Sequence, residues 1–200
     1  MKDECIELLS CTKVYHFWYT FVMTNYEQIY EVAADNYGLI TSAQAKDMGI
    51  PNIELVKLAQ RGRLERLGHG VYRVRHYTPT PLDQYAEAVT IVGRDAFIFG
   101  ESVLAMLELA LVNPTVITVA TPNTIRKRLP EYIKTVKVHN SNDVVQHDGI
   151  PVQNVADALR TCRGSVMTER LLGAVEDARM QGFITVKEME QLKKEMSNVK

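Results

Sequence analysis

Three features are scarce in this sequence of 200 residues. The three cysteines, Cys5, Cys11 and Cys162, contain no Cys-x-x-Cys pair, so a disulfide framework is excluded and a reducing, cytoplasmic setting is expected. No apolar run approaches the roughly 18 residues that a membrane-spanning helix needs. The formal net charge is only −1, so any strongly charged surface must be local. The hydrophobic content of 46% is nevertheless enough for real cores.

Familiar catalytic and cofactor motifs are lacking as well. There is no Gly-x-x-x-x-Gly-Lys phosphate loop, and Ser102 lacks the flanking glycines of a nucleophile elbow. His139 and His147 have no cysteine nearby, which is not a zinc spacing. Glu131-Tyr132-Ile133-Lys134 has one residue too many for the Glu-x-Lys of a metal-dependent nuclease, and on a strand its charged ends lie on opposite faces. We therefore expect no enzyme, metal or cofactor, with a nuclease as the less favoured alternative.

What the sequence does contain is a set of helix boundaries in its first third. Thr24 and Thr41 each precede a Glu or Gln by three residues, which is the spacing of a capping box at a helix start. Asn52 is expected to cap a third helix that runs to Arg61. Apolar residues on either side of this third helix leave its buried face ambiguous.

A predicted hairpin follows the helices. Residues 64–67 and 71–74 alternate apolar and polar side chains around Gly68-His69-Gly70, which indicates two strands and a tight turn. Three helices and a hairpin in this order are typical of a winged helix-turn-helix. We expect this domain over residues 24–77.

Charge favours nucleic acid as the partner of this domain. The residues from Asn52 to His76 contain six Lys or Arg and two Glu, a local net charge of +4 in a chain of net charge −1. A basic element on a weakly acidic body is expected where phosphates are contacted. The predicted DNA-binding residues are Asn52, Lys57, Arg61, Arg63, Arg66, His69, Arg73 and Arg75.

Each of these residues has an expected role. In a helix-turn-helix the N-terminal part of the second helix of the motif reaches base edges, which points to Asn52 and Lys57. The arginines are placed for phosphate contacts and His69 for the tip of the wing. Two alternatives stay open: the cations form only a solvated helical face, or the domain is a protein–protein interaction module.

A second domain is expected after the linker Thr78-Pro79-Thr80-Pro81. Residues 81–200 alternate helical and strand patterns, with a buried strand at 115–120 and a turn at Asp148-Gly149. The fold class is therefore α+β, a winged helix-turn-helix followed by a mixed α/β domain. Arg126, Lys127 and Arg128 form a secondary basic patch in this domain, which either extends a DNA footprint, contacts a partner or is a solvated loop.

The first 22 residues differ from the rest in composition. A clean helix start follows Met23 directly, so we expect Met23 to be the true start and residues 1–22 to be an upstream extension. The competing interpretation is an arm that packs Phe17, Trp18 and Phe21 on a partner.

Several short motifs occur in a definite order along the chain. They are Arg61-Gly62-Arg63-Leu64, Gly70-Val71-Tyr72-Arg73, Glu101-Ser102, Val116-Ile117-Thr118-Val119 with Thr121-Pro122, Val136-Lys137-Val138-His139, Asp148-Gly149-Ile150-Pro151-Val152, Val155-Ala156-Asp157-Ala158-Leu159 and Ala174-Val175-Glu176-Asp177-Ala178. In order and spacing the chain from Tyr26 to Met196 resembles the AbiEi family, the antitoxins of the AbiE type IV toxin–antitoxin systems. Two positions depart from the family pattern: Gly100 stands where members often carry His, and Glu108 stands in place of a Gly.

The resemblance implies a DNA-binding repressor that acts at inverted repeats in its own promoter, with a dimer on DNA as one arrangement. It also implies an antitoxin whose second domain counteracts a nucleotidyltransferase toxin of the AbiEii type. In a type IV system the two proteins need not form a stable complex, so the toxin is expected as a functional partner and no direct complex is expected.

Overall fold

The computed structural model describes residues 23–138 and 144–197. The expectations for residues 1–22 and for His139 therefore lie outside the described residues. Two sheets organise the described chain, and each has its own helices. We call the elements up to residue 77 the first unit and those from residue 81 the second unit.

The first unit combines three helices with a three-stranded antiparallel sheet in the order β1-β3-β2. Strand β1 was not predicted, because it is only three residues long and directly precedes a helix. Its residues pair with β3 in the register Leu39 to Arg73 and Thr41 to Val71. The elements are α1 (Asn25–Ala34), β1 (Leu39–Thr41), α2 (Ser42–Asp47), α3 (Asn52–Gln60), β2 (Leu64–Gly68) and β3 (Val71–Val74).

Side-chain caps set two of these helix starts. Thr24 and Thr41 each accept from the third backbone N–H of the following helix, and the Glu or Gln at that position bonds back to the threonine. Both predicted capping boxes are confirmed. The predicted cap at Asn52 is wrong: Pro51 is the N-cap residue of α3, and Asn52 is the first residue inside the helix. Proline ahead of a helix holds the extended backbone that an N-cap residue needs, with φ −64° and ψ 143°.

The second unit is built on a mixed five-stranded sheet in the order β6-β5-β4-β8-β7. The outer pair β5–β6 and the inner pair β4–β8 are parallel, whereas β4–β5 and β7–β8 are antiparallel. The α+β fold class is thus confirmed. The elements are α4 (Asp83–Val92), β4 (Phe97–Ile98), α5 (Glu101–Met106), β5 (Ile117–Thr121), β6 (Ile133–Lys137), β7 (Val144–His147), β8 (Ile150–Gln153), α6 (Val155–Thr161), α7 (Thr168–Met180) and α8 (Val186–Ser197).

Both faces of the small sheet are covered. Ile40, Tyr72 and Val74 belong to a core shared with α1, α2 and α3, whereas Leu39 and Val71 belong to the large core of the second unit. The alternation of side chains along a strand produces this division, because neighbouring residues point to opposite faces. The first unit therefore packs through its sheet against the second unit, on the side of α4.

Backbone conformation explains the glycine at residue 100 and does not explain the glutamate at residue 108. Gly100 precedes α5 with φ 59° and ψ −130°, a region open essentially only to glycine. Glu108 has φ 56°, a left-handed conformation that a glycine adopts without steric cost. A glycine at residue 108 would therefore be less strained than Glu108. At residue 100 the backbone favours the glycine that is present over any larger residue.

Candidate nucleic-acid interface

Helix α3 buries one face and exposes the other. Leu55 and Leu58 are buried in the core of the first unit, which resolves the ambiguity left by the sequence. The opposite face exposes Asn52, Ile53 and Lys57, and the side chain of Ile53 is unusually open for an isoleucine, at 57% exposure. The start of α3 thus presents one amide, one apolar and one cationic side chain to a partner.

The side chain of Asn52 is held at the start of α3 by a neighbouring helix. The hydroxyl of Ser42, the first residue of α2, donates to Asn52 Oδ1 at 2.8 Å. Lys57 is held differently, by a 2.7 Å ion pair with Glu54 one turn earlier on the same helix. Both groups of this pair are partly solvated, so the pair contributes at most about 0.5 kcal/mol and does not prevent Lys57 from turning to a phosphate.

The hairpin forms as expected, and its tip lies beside α2. His69 and Gly70 make the turn, with a bulge between Arg66 and Gly68 on β2. Arg66 is exposed and donates from Nε to the carbonyl of Gly68 at 3.3 Å, which curls the guanidinium along the hairpin. The backbone N–H of Ser42 donates to the carbonyl of Gly70 at 2.8 Å, so the wing is tied to the start of α2.

Three further arginines lie at the far end of α3 and the base of the hairpin. Arg61, Arg63 and Arg75 are all exposed. Arg63 places its guanidinium carbon 4.8 Å from the centre of the Tyr26 ring, a cation–π contact that orients it without neutralising it. Within the described residues, none of the three takes part in an ion pair.

Arg73 is placed differently from the other cations. It lies on the face of β3 that also carries Val71, which points towards the second unit. Its Nη2 lies 2.5 Å from Oε2 of Glu87 on α4, and only 25% of the Arg73 side chain is exposed. The expected phosphate contact at Arg73 is therefore corrected to an ion pair between the units, because α4 covers the sheet face from which Arg73 projects.

Glu87 connects this ion pair to a third residue. Its other carboxylate oxygen accepts a hydrogen bond from the hydroxyl of Tyr132, just before β6. Burial and the bond to Glu87 raise the pKa of the Tyr132 phenol, so it remains a donor at all ordinary pH values. Arg73, Glu87 and Tyr132 thus form a network that joins β3, α4 and the strand edge of the second unit.

The secondary basic patch is exposed, and the structure separates its members. Arg126, Lys127 and Arg128 lie between β5 and β6, and Lys127 extends towards the end of α4. There it lines a cleft of about 690 Å³ between the two units, together with Asn52, Arg66 and His69. The structure therefore brings Lys127 to the side of the molecule where α3 begins and the wing ends.

Comparison with known families gives a match within the first unit. Residues 27–75 match the AbiEi antitoxin family of transcriptional regulators. The AbiEi resemblance is confirmed on this segment, which contains most of α1, the α2–α3 pair and the whole hairpin. The family is described as AbiEi antitoxin transcriptional regulators, so the match indicates a regulatory role for the matched segment.

Comparisons with solved structures and with curated protein sequences add no evidence on function. A crystal structure of the RV2827C protein from Mycobacterium tuberculosis aligns over 85% of this chain and 71% of its own, with a TM-score of 0.48 and 16% sequence identity. No curated protein sequence matches the chain.

Residues 23–138 and 144–197 lack both a metal-binding cluster and a helix suited to cross a membrane. These residues contain no group of three or more His, Cys, Asp or Glu side chains that could hold a metal ion. Among the same residues no helix is both long and apolar enough to cross a bilayer. From the nuclease-like string, Lys134 on β6 and Glu131, two residues before this strand, are both exposed.

Two residues near the start of α3 were not predicted from the sequence. Ile53 belongs to the open face of α3, which the ambiguous helical pattern concealed. Arg94 follows α4 and lines the cleft with Lys127, although 33 residues separate them in the chain. Only the fold brings Arg94 to the start of α3, so no local pattern could reveal it.

Proposed function

We propose that residues 24–77 form a winged helix-turn-helix that binds double-stranded DNA, and that the protein regulates transcription from its own promoter. The observation that carries this proposal is the exposed face at the start of α3, which combines Asn52, Ile53 and Lys57 on the matched segment. An amide reads adenine, an apolar side chain meets the thymine methyl group, and a cation reaches guanine or phosphate.

We assign the phosphate contacts, which orient the protein on DNA, to the cations that have no carboxylate partner among the described residues. These are Arg61, Arg63, Arg66 and Arg75, with His69 at the wing tip. If about four phosphates are neutralised per subunit, log K should fall against log salt with a slope of about −3 to −4. Contacts of this number give limited affinity, so we propose that two subunits occupy an inverted repeat.

The remaining residues, 81–200, are proposed to form the antitoxin domain of a type IV system. Its role is to oppose a nucleotidyltransferase toxin without a stable complex between the two proteins. Co-expression with a toxin of that class should restore growth, while affinity purification should recover no toxin with this protein. Stable co-purification would contradict the type IV assignment.

The DNA-binding proposal is tested by fluorescence anisotropy with two duplexes, one from upstream of the gene and one of scrambled sequence, at two salt concentrations. We expect salt-sensitive binding that favours the upstream duplex. Arg61→Ala should weaken binding to both duplexes, whereas Arg170→Ala, which removes an exposed cation on α7, should leave both unchanged.

One observation favours a second candidate, a protein-binding module. The exposed Ile53 side chain would suit an apolar partner as well as a base edge, and the pairing of Lys57 with Glu54 lowers the local charge. Equal and weak binding to both duplexes, unaffected by Arg61→Ala, would favour this second candidate.

A further inference from the structure

The cleft between the two units has the size and position of a small-molecule site. Its volume is about 690 Å³, within the range of roughly 300–1,000 Å³ typical of ligand pockets, which often form where two parts of a chain meet. The first unit contributes Ser42, Asn52 and Arg66, and the second contributes Thr90, Arg94 and Lys127.

The charged side chains that line the cleft are all cations. Arg66, Arg94 and Lys127 line the cleft with His69, and none of the lining residues is Asp or Glu. In the described part of the chain, none of the three cations takes part in an ion pair. Cations brought together without carboxylates favour an anion between them, and guanidinium and ammonium groups are the usual ligands of phosphate.

The rest of the lining is neutral and mixed. Val56 and Val89 supply apolar surface, and the amides of Asn36, Gln44 and Asn52 supply donors and acceptors. An inorganic ion would use only the charged end of such a cleft. A ligand with a phosphate and a ring system would use both parts.

A glycine keeps the charged end open. Gly93 follows α4 with φ 109°, a conformation that other residues rarely adopt. A Cβ at this position would lie 3.8 Å from Nζ of Lys127, so a larger side chain would fill the space in front of the ammonium group.

We propose that this cleft binds a phosphate-bearing small molecule of nucleotide size, with Arg66, Arg94 and Lys127 holding the phosphates. Phosphate groups could also come from the DNA backbone, and the experiment below separates the two sources. Because Asn52 both lines the cleft and begins α3, the bound ligand and DNA compete for it. This competition rests on the proposed DNA-binding function, whereas binding of the ligand does not.

Binding is tested by isothermal titration of the full chain with ATP and, separately, with adenosine. ATP should bind saturably at one site, and adenosine at least about tenfold more weakly, since the loss of charge-assisted contacts costs about that factor or more. The double variant Arg94→Ala/Lys127→Ala should bind ATP at least about tenfold more weakly. Its matched control is Arg170→Ala/Lys187→Ala, which removes two exposed cations away from the cleft and should bind ATP like the unmodified protein.

Three outcomes would overturn the proposal. They are the absence of ATP binding, equal loss of ATP binding in the two double variants, and equal binding of ATP and adenosine. Loss of duplex binding in Arg94→Ala/Lys127→Ala without any ATP binding by the unmodified protein would assign these cations to DNA phosphates instead.

Competition is measured with the upstream duplex at constant ionic strength. Saturating ATP should raise the apparent Kd of the duplex for the unmodified protein, and by linkage the duplex should weaken ATP binding by the same factor. Arg94→Ala/Lys127→Ala should lose most of the ATP effect.

If no duplex binds at all, the DNA-binding function fails while the ATP titration still decides the cleft proposal. If ATP and duplex bind together without mutual effect, the competition is refuted.

Discussion

Replacing Arg73 by alanine should destabilise the protein and leave its DNA contacts in place. The change removes the cation that faces Glu87, whose side chain is only 15% exposed. Glu87 would keep a single hydrogen bond, from Tyr132. A fully buried carboxylate that loses its partner costs about 3–5 kcal/mol, and a charged hydrogen bond contributes about 1.5–3 kcal/mol. Because the pair is partly solvated, we expect a loss of about 2–3 kcal/mol.

The assay is thermal and urea unfolding followed by circular dichroism. A loss of that size lowers Tm by about 4–12 °C in a chain of this length. The matched control is Arg75→Ala, two residues along the chain, where the arginine is exposed and has no ion-pair partner among the described residues. We expect Arg75→Ala to change stability by no more than about 0.5 kcal/mol.

A double-mutant cycle isolates the pair. The coupling free energy between Arg73→Ala and Glu87→Ala should be about 1.5–3 kcal/mol, since each single change leaves the other residue without its partner. A coupling below about 0.5 kcal/mol would refute the ion pair as a stabilising contact. In the binding assay, the folded Arg73→Ala protein should keep its duplex affinity within about threefold. If it instead loses affinity as Arg61→Ala does, Arg73 contacts phosphate and our assignment is wrong.

Three further predictions concern separate parts of the chain. Asn52→Ala should reduce the preference for the upstream over the scrambled duplex by about tenfold, whereas Gln60→Ala, exposed at the other end of α3, should not. Glu108→Gly should stabilise the fold by about 0.5–1 kcal/mol because φ of Glu108 is 56°. The control Ala105→Gly, inside α5, should destabilise the fold by about the same amount. Urea unfolding measures both, and a loss of stability in Glu108→Gly would contradict the strain argument. Burial, with a smaller effect of a nearby carboxylate, raises the pKa of the Cys162 thiol to about 12, so peptide mapping after iodoacetamide treatment at pH 8 should find Cys162 unmodified until urea unfolds the chain.

The features that the sequence predicted best are those set by neighbours in the chain. The capping boxes at Thr24 and Thr41 and the turn at Asp148-Gly149 depend on residues three or fewer positions apart, and all three are present. Asn52 shows the limit of such rules. Its residue type suits an N-cap, but Pro51 already holds the required backbone, and Asn52 starts the helix instead.

The features that were missed depend on distant parts of the chain. Arg73 looked like another cation of a basic hairpin, and only the packing of α4 on the sheet turns it to Glu87. The one local signal was that Arg73 lies two residues after Val71 on the same strand and therefore shares its face. This signal shows where Arg73 points only once it is known that the second unit covers that face. Arg94 and Lys127 belong to different loops and meet α3 through the same packing.

Helix α4 explains why the ion pair and the cleft belong together. It carries Glu87 on the side that faces Arg73, and Val89, Thr90 and the following Gly93 on the side that lines the cleft. The same helix therefore fixes the first unit and sets the distance between α3 and the cations of the second unit. The Glu87 pair and the cleft thus lie on different sides of α4, which is why Arg73→Ala is expected to lower stability without a large loss of duplex affinity. Within our proposals, a ligand between the units is coupled to the DNA that α3 reads through Asn52, which lines the cleft and begins α3.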